Sequence, residues 1–552
     1  MTHTTRSHFF GYRSSSVAAL VIAGVCAIAM PALAQWGSDT TNNTVINNSS
    51  GEQVQPKVVC TASGRTLIAF FDNTTGGYDV RLQSLTRNGT IEWEMGGILL
   101  ADRAVSSTVD YDMIVDAAGN AYVAYNDDGG VSGAAQQIVV QKVSPTGQKL
   151  WGSAPLMVGT TVSTGTAFKA SPKVCVLGDG SVVVGWTANG FSFQRVDNTG
   201  NLVGSTTAVT ETSRYVALSD IKAVSATEFV AMWIRGSSSS AINSAKALYA
   251  QRYTLTGISF APTWTGTGTA TNNGGTPVVV FNATSIQNGY FPTMTLDGAG
   301  GVVAGFYEIG GSRNSLVQHV LSTGALRFGA AAPTTGATPS LIRVSGSAVY
   351  DAAADVYYTI STQTNSSTQS NYSVFAQKLA ANGSRLWGDA GLELRPVSTS
   401  QPSFTQAQLR NGGMYGFGLL ATGATTGTVN GWGVNADGTS AWFNTINDTF
   451  ATKARLASAV HPSGYAVVAF TNGSSGSGDV LAQNINTDGT FGNITSGCGP
   501  ADVNSDGTVD GNDFVAFINA FGAGDLLADI NTDGVVDGGD FVLFINDFGA
   551  GC

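Results

Sequence analysis

Short apolar runs with the look of strands, separated by tight-turn residues, dominate the chain up to about residue 490. Two examples are Ile138-Val139-Val140-Gln141-Lys142-Val143 and Val374-Phe375-Ala376-Gln377-Lys378-Leu379. The runs belong to a repeat. A Gln followed six residues later by Gly recurs as Gln83/Gly89, Gln141/Gly147, Gln194/Gly200, Gln251/Gly257, Gln318/Gly324, Gln377/Gly383 and Gln483/Gly489. An eighth copy has Trp432 before Gly438, and the intervals run from 51 residues (Gly438 to Gly489) to 67 (Gly257 to Gly324). The Gln sits in a strand and the Gly closes a turn. A further strand often opens just beyond it, with Trp93, Trp151, Trp387 or Trp442. Upstream, a small residue precedes a large apolar one by six, as in Gly119/Tyr125, Gly180/Trp186, Gly300/Phe306 and Gly464/Phe470.

About four strands per repeat, eight times over, predict an all-β chain folded as a β-propeller, whose radial blades leave only short protected edges. A row of separate β-sandwiches is the runner-up, but one repeat is too short for a sandwich. The eighth repeat stops near Phe491-Gly492-Asn493 without a long fourth strand, while Gln35-Trp36-Gly37 through Val45-Ile46-Asn47 resembles one. The N-terminal strand is therefore expected to complete the last blade and close the ring. The repeated Gln is expected to satisfy backbone groups between blades, and the repeated aromatics to be core. The interval between the large apolar residue and the Gln position varies from 8 to 18 residues, while the two six-residue intervals stay fixed. The variable loops share a face with the blade-to-blade connections, and that face is where a ligand is expected.

Composition agrees with strands and turns: charged residues are 11% and Gly numbers 70. Residues 1–34 read as a signal peptide, with Arg6 and Arg13, an apolar run from Val17 to Met30, and Ala32-Leu33-Ala34 as the cleavage site. The run is short for a membrane span, and no second one follows. The mature protein is accordingly expected to be secreted or held at the cell surface. Cys60 and Cys175 lie in similar strand settings, as two separate thiols or as a bonded pair. No basic patch points to nucleic acid. His319 and His461 are the histidines left after cleavage, which argues against a His-rich metal site or a Ser-His-Asp triad. No catalytic or organic-cofactor residue is assigned. Asp72, Asp127, Asp128 and Glu308 follow second strands; they read first as solvated loop carboxylates and, in the alternative, as the carboxylates that a glycoside hydrolase would use.

The propeller region is expected over residues 35–495, followed by a different domain over 498–552. That last segment holds ten Asp and no Glu, Lys or Arg, so it carries −10 of the net −11. Two loops repeat within it. In the first, oxygen donors fall at Asp502, Asn504, Asp506, Asp510 and Asp513; in the second, at Asp529, Asn531, Asp533, Asp537 and Asp540. Gly507 and Gly534 make the sharp turn, and Thr508 and Val535 offer backbone carbonyls. This is EF-hand spacing, and it predicts two Ca2+ ions, each taking about six to eight oxygen ligands. A helix should leave each loop, with Phe514, Phe517, Ile518 and Phe521 on one apolar face and Phe541, Phe544, Ile545 and Phe548 on the other. Cys498 and Cys552 bracket the segment and are placed for a disulfide, which an exported context permits.

Two loop-helix units with Asp at the twelfth position resemble a type I dockerin, and the Gly-Cys at each end is similar to a family of dockerin-like tails on exported bacterial proteins. The resemblance implies Ca2+ binding and attachment to a protein or cell-surface anchor. Dockerins generally carry enzymes of polysaccharide-degrading complexes to cohesins. Here Gly511-Asn512 and Gly538-Gly539 replace the usual hydroxyl pair, and Ile518-Asn519 and Ile545-Asn546 stand where basic residues are common, so cohesin binding does not carry over. The reading that results is an exported calcium-binding protein with a non-catalytic propeller, a possible glycan on the variable face and an anchoring tail. The alternative is a polysaccharide-active enzyme of the glycoside hydrolase class.

Overall fold

The structure, a computed structural model, describes residues 36–108, 110–160, 171–269, 271–310, 313–336, 341–365, 368–492, 500–504, 508–531 and 535–550. The segment read as a signal peptide, together with Cys498, Asp506, Gly507, Asp533, Gly534 and Cys552, lies outside them. Eight antiparallel sheets succeed one another as blades. Blade 1 comprises Gln53–Cys60, Thr66–Asp72, Asp79–Leu85 and Ile98–Ala101. Blade 8 comprises Lys453–Val460, Ala466–Asn472 and Asp479–Ile485, with Thr44–Asn47 as its fourth strand. That pairing is antiparallel, Thr44 opposite Ala482 and Asn47 opposite Val480, so the N-terminal strand closes the last blade as its sequence implied. The first strand of each blade touches that of the next, and that of blade 8 touches blade 1, completing a ring.

Blade 4 departs from the four-strand plan. Its third strand, Lys246–Thr256, pairs with Ser259–Pro262 at one end and with Val278–Phe281 at the other. The chain leaves the fourth-strand position and returns to it, which accounts for the longest interval in the repeat.

Second strands such as Thr66–Asp72, Ala121–Asp127 and Val182–Thr187 are buried at every residue rather than at alternate ones. Both faces of a blade pack on neighbours, so neither face can be polar. Each seam has its own apolar cluster. Blades 1 and 2 share Phe71, Leu82, Tyr111 and Tyr125, and the closing seam shares Trp36, Ile46, Phe70 and Val467. Cys60 and Cys175 belong to blades 1 and 3 and are separate thiols, each pushed up to about 12 by burial.

The six-residue Gln-to-Gly interval also has a physical cause. At Gly89, φ is +83° and an added Cβ would lie 2.5 Å from Trp36 of the closing segment. Trp93 covers Gly147, Trp151 covers Gly200, Trp264 covers Gly324, Trp387 covers Gly438 and Trp442 covers Gly489 in the same way, and Phe328 takes the place over Gly383. Several of these indoles also donate into the turn they cover: Trp36 to the Arg87 carbonyl (2.8 Å), Trp264 to Ser322 (2.9 Å) and Trp442 to Thr487 (3.1 Å). An aromatic from one blade thus seats on the bare turn of the next. Gly257 has nothing over it, because Gly204 stands where blade 3 would supply the aromatic, four residues past Gly200 and close against Ile258.

The repeated Gln is buried, but its partners differ from the expectation. Gln83 donates to the Glu94 carbonyl (2.8 Å), Gln141 to Gly152 (3.0 Å) and Gln251 to Trp264 and Gly274 (3.1 and 2.9 Å). These carbonyls lie in the same blade, in the crossing to its fourth strand. The amide therefore ties the outer strand to its own blade; Gln377, which also reaches Thr334 of blade 5 (3.2 Å), adds a bond across a seam.

The last segment forms two helices, α1 (Gly511–Ala523) and α2 (Gly538–Ala550). Asp510 caps α1, and Asp513 answers it in a capping box. The helices meet through Phe517 and Phe544, whose rings stack at 3.9 Å and 3°. Ile518 and Ile545 are 39% and 40% exposed, off this seam, so the apolar faces are narrower than their spacing implied.

Candidate ligand face and calcium tail

The first strands line the axis of the ring, and on several of them the backbone is bulged. Register shifts fall between Val54 and Lys57, Val344 and Ser347, Ser403 and Gln406, and Ala454 and Ala457. At each bulge a residue other than Gly is left-handed: Gln55 (φ 59°), Ser345 (59°), Phe404 (51°) and Arg455 (56°). Such bulges redirect side chains, and the conformation costs about 1 kcal/mol or more for a residue with a Cβ.

Around blades 1 to 4 the groups near the first strands are charged and paired. Asp110 lies between Lys173 (2.6 Å) and Lys57 (3.0 Å), and Lys222 meets Asp220 at 3.2 Å. Burial alone would raise the Asp110 carboxyl, but the two ammonium groups hold it well below the usual carboxylate range. Around blades 5 to 7 the character changes. Here a cavity of 700 Å³ is lined by Thr293, Thr295, Ser345, Ser347, Ser403, Thr405, Gln406 and Gln408, with Tyr290, Phe291, Tyr307 and Phe404 among them and no charged side chain. Tyr290 and Tyr307 pack at 4.5 Å, and Phe404 is 41% exposed. Phe291 also borders a second cavity of 610 Å³ formed by Thr187, Asn189, Arg214, Tyr215, Ile242 and Asn288 from blades 3 and 4. The segments around Asn189, Ile242 and Tyr290 are second-to-third-strand loops and a blade connection, so both cavities belong to the variable face.

The four carboxylates singled out from the sequence line neither cavity. Asp72 is buried, paired with Arg81 at 2.7 Å and hydrogen-bonded by Gln53 at 3.0 Å. Asp128 accepts from the amides of Ala104 (2.9 Å) and Gly130 (3.2 Å), and Glu308 accepts from the Thr284 hydroxyl. Asp127 accepts from the Gly129 amide (2.8 Å), and burial raises its carboxyl above the usual value. Asp79, beside it in the Arg103 neighbourhood, is raised by burial as well. Glu308 stands apart on blade 5.

His319 meets Asp297 (3.0 Å) and the Tyr357 hydroxyl (2.6 Å), with Arg327 at 3.2 Å from that same oxygen. The grouping has the composition of a catalytic relay. Yet His319 and Tyr357 are buried where blades 5 and 6 meet, and Asp297 and Asp355 lie in fixed turns, away from the ligand face. It is a cross-blade tie.

In the tail, the structure brings both ends of each loop together. Asp513 accepts from the Asn504 amide (3.0 Å) with one oxygen and from the Asp510 amide (2.9 Å) with the other. Asp540 does the same with Asn531 (3.0 Å) and Asp537 (2.9 Å). Asp502, Asp513 and Asp540 are fully buried. A carboxylate oxygen that holds one N–H keeps a further lone pair, so the donor set fits a hard cation. Among the described residues no group of three or more His, Cys, Asp or Glu gathers as a metal site; the fifth positions of the loops, Asp506 and Asp533, lie outside them.

No family model matches the chain, and neither does the sequence of any curated protein. Among solved structures it is similar to the ulvan lyase of polysaccharide lyase family PL25, with a TM-score of 0.40, 11% identity and coverage of 74% of this chain and 97% of that one. A Dyadobacter fermentans protein of unknown function gives 0.36, 9%, 82% and 99%. The GH43 endo-arabinanase of Bacillus licheniformis gives 0.27, 16%, 53% and 99%. Likenesses of this size do not say what the present chain binds; its eight blades are established by its own strand pairing.

Proposed function

We propose that the chain is an exported polysaccharide-binding propeller whose tail is ordered by two Ca2+ ions and serves as an anchor. The observation that carries the ligand class is Phe404, an exposed aromatic held left-handed on a bulge at the border of an uncharged cavity. Sugar rings present C–H faces that pack on aromatic rings, and hydroxyls that exchange hydrogen bonds with Ser, Thr and Gln. The cavity lining carries no charge, which suits neutral sugars, although the Arg455 guanidinium lies over the Phe404 ring at 5.7 Å on its border. In a panel of neutral and acidic polysaccharides, the protein should retain the neutral ones, and Phe404→Ala should weaken that binding about tenfold without moving the melting temperature. Equal affinity in the variant, or retention of acidic chains alone, would sink this assignment.

In the tail, Asp502, Asn504, Asp506, Asp510 and Asp513 would hold one ion, with the Thr508 carbonyl. Asp529, Asn531, Asp533, Asp537 and Asp540 would hold the other, with the Val535 carbonyl. The support is the fully buried carboxylates of a segment without Lys or Arg, since buried charge calls for a counter-ion.

A second reading, that the propeller cuts glycosidic bonds, rests on Asp127. A carboxyl whose pKa burial raises is the kind a general acid requires, and Asp128 beside it and Asp72 on blade 1 are the candidates for its partner. Release of reducing ends from a bound polysaccharide, abolished by Asp127→Asn, would establish it. Binding without release leaves the non-catalytic reading.

A further inference from the structure

The tail meets the propeller at the seam where the ring closes. Arg65, in the first turn of blade 1, holds Glu92 with its Nε (3.0 and 2.9 Å) and reaches Asp525 of the tail with Nη2. Arg87, in the turn between the third and fourth strands of blade 1, donates through Nη1 to the Asp502 carbonyl at 2.6 Å. The backbone carbonyl of the same Arg87 accepts from the Trp36 indole (2.8 Å) and from the Tyr465 hydroxyl (2.9 Å). The neighbouring Asn88 carbonyl accepts from the Trp36 amide at 3.0 Å. One turn of blade 1 therefore touches the segment that leads into the closing strand, the last blade, and the first residue of the first tail loop.

We propose that the tail is an intramolecular latch: seated on Arg65 and Arg87, it holds the closing segment of the ring in place, and order in its first loop and closure of the ring support each other. The charges match, because the buried Arg65 and the half-buried Arg87 meet a segment that carries −10. The Arg65 pair is shielded from water, with side chains 5% and 13% exposed, so screening by salt is weak there. Coupling between two ordered elements acts equally in both directions. The turns concerned are the fixed ones, so a seated tail leaves the variable face open to ligand.

The test uses the full-length chain. Asp525→Ser keeps a cap for the Leu527 amide (3.0 Å from Asp525 now) but removes the charge that meets Arg65, and Arg65 retains Glu92. Hydrogen exchange should quicken roughly tenfold across residues 36–47 and 61–65, the size expected from losing one charge-assisted hydrogen bond. The amides of residues 500–504 in the first tail loop should quicken too, because the coupling is mutual, while those of α2 should be unchanged. Arg87→Met should quicken residues 36–47 further. Exchange in these segments that matches the parent protein in both variants would overturn the latch. The Ca2+ arm rests on the reading of the tail given above. Chelation should quicken residues 36–47 in the parent chain and not in the Asp525→Ser, Arg87→Met double variant. If calorimetry finds no Ca2+ binding, the ion assignment fails by itself, and the Asp525→Ser exchange still decides the latch.

Discussion

The propeller and the tail solve the same problem of burial at different scales. The propeller spreads apolar contact over a cluster at every seam, so a weak seam, such as that under Gly257, has strong neighbours. The tail has one cluster, centred on Ala501, Val503, Phe517, Ala520, Ala528 and Phe544. It leaves Val515, Ile518, Val542 and Ile545 substantially exposed. A core of that size falls near the limit at which small domains need a staple. The ring draws its stability from topology and burial, whereas the tail, on the Ca2+ reading proposed for it, depends on the neutralisation of its own charge.

The comparison breaks first at the closing strand. Deletion of residues 36–48 should remove the single cooperative transition of the propeller, because it strips Trp36, Ile46 and their hydrogen bonds from a seam. Each buried side chain of that kind is worth about 1.5–3 kcal/mol. Calorimetry on the variant checks this, and an unchanged transition would mean that the ring holds without its fastening. Chelation should act on the tail instead. With Ca2+ at about 100 times its dissociation constant, each independent site adds about 2.7 kcal/mol. Helical circular dichroism from α1 and α2 should therefore fall on adding chelator, and Asp502→Ala with Asp529→Ala should mimic it. The strand signal should persist in both cases.

The smallest effect concerns acid. His461 is buried at the closing seam, stacked on Tyr465 at 4.2 Å, with Nε2 donating to the Gly64 carbonyl at 2.7 Å. Burial lowers its pKa to about 4 from the ordinary 6.5. Between those values the unfolded chain binds a proton that the folded chain refuses, so stability falls as the pH drops from 6.5 towards 4, by about 3 kcal/mol in all. Urea midpoints across that window should decline for the parent protein and flatten in His461→Gln. An equal slope in the variant would place the acid sensitivity elsewhere.

What the sequence disclosed was whatever it repeated. The Gln-to-Gly interval and the Trp positions are signals stated several times over, and each corresponds to a contact that most blades make; the missing last strand is legible as a departure from that repeat. The Gln partners were harder to place, since spacing gives a strand position but not the direction of an amide. The cavity was not legible for a related reason. Tyr290 and Phe291 come from a connection with no counterpart in other blades, and Phe404 faces the cavity because of a bulge that inverts one φ angle. Neither has a period. Asp72, Asp127 and Asp128 were found by position after the second strand, but the same position made them bond to loop amides and Arg81. Arg65 and Arg87 carried no signal at all, because their partners lie more than 400 residues away.

The pairing of Asn43 with Gln483 spans 440 residues, and this sets an order of events as the chain is made. The strand that fastens the ring is synthesised first and its partner edge last. Until Asp479–Ile485 emerges, Thr44–Asn47 has nowhere to lie, and afterwards the bare edge of blade 8 is open to any strand that reaches it first. The interval is a race between self-closure and pairing with another copy, and dilution favours the former. A circular permutant that begins at Lys453 and joins Ile485 directly to the Thr44 segment would make the fastening local, shorten the exposure of that edge and raise the yield of monomer on refolding at high concentration.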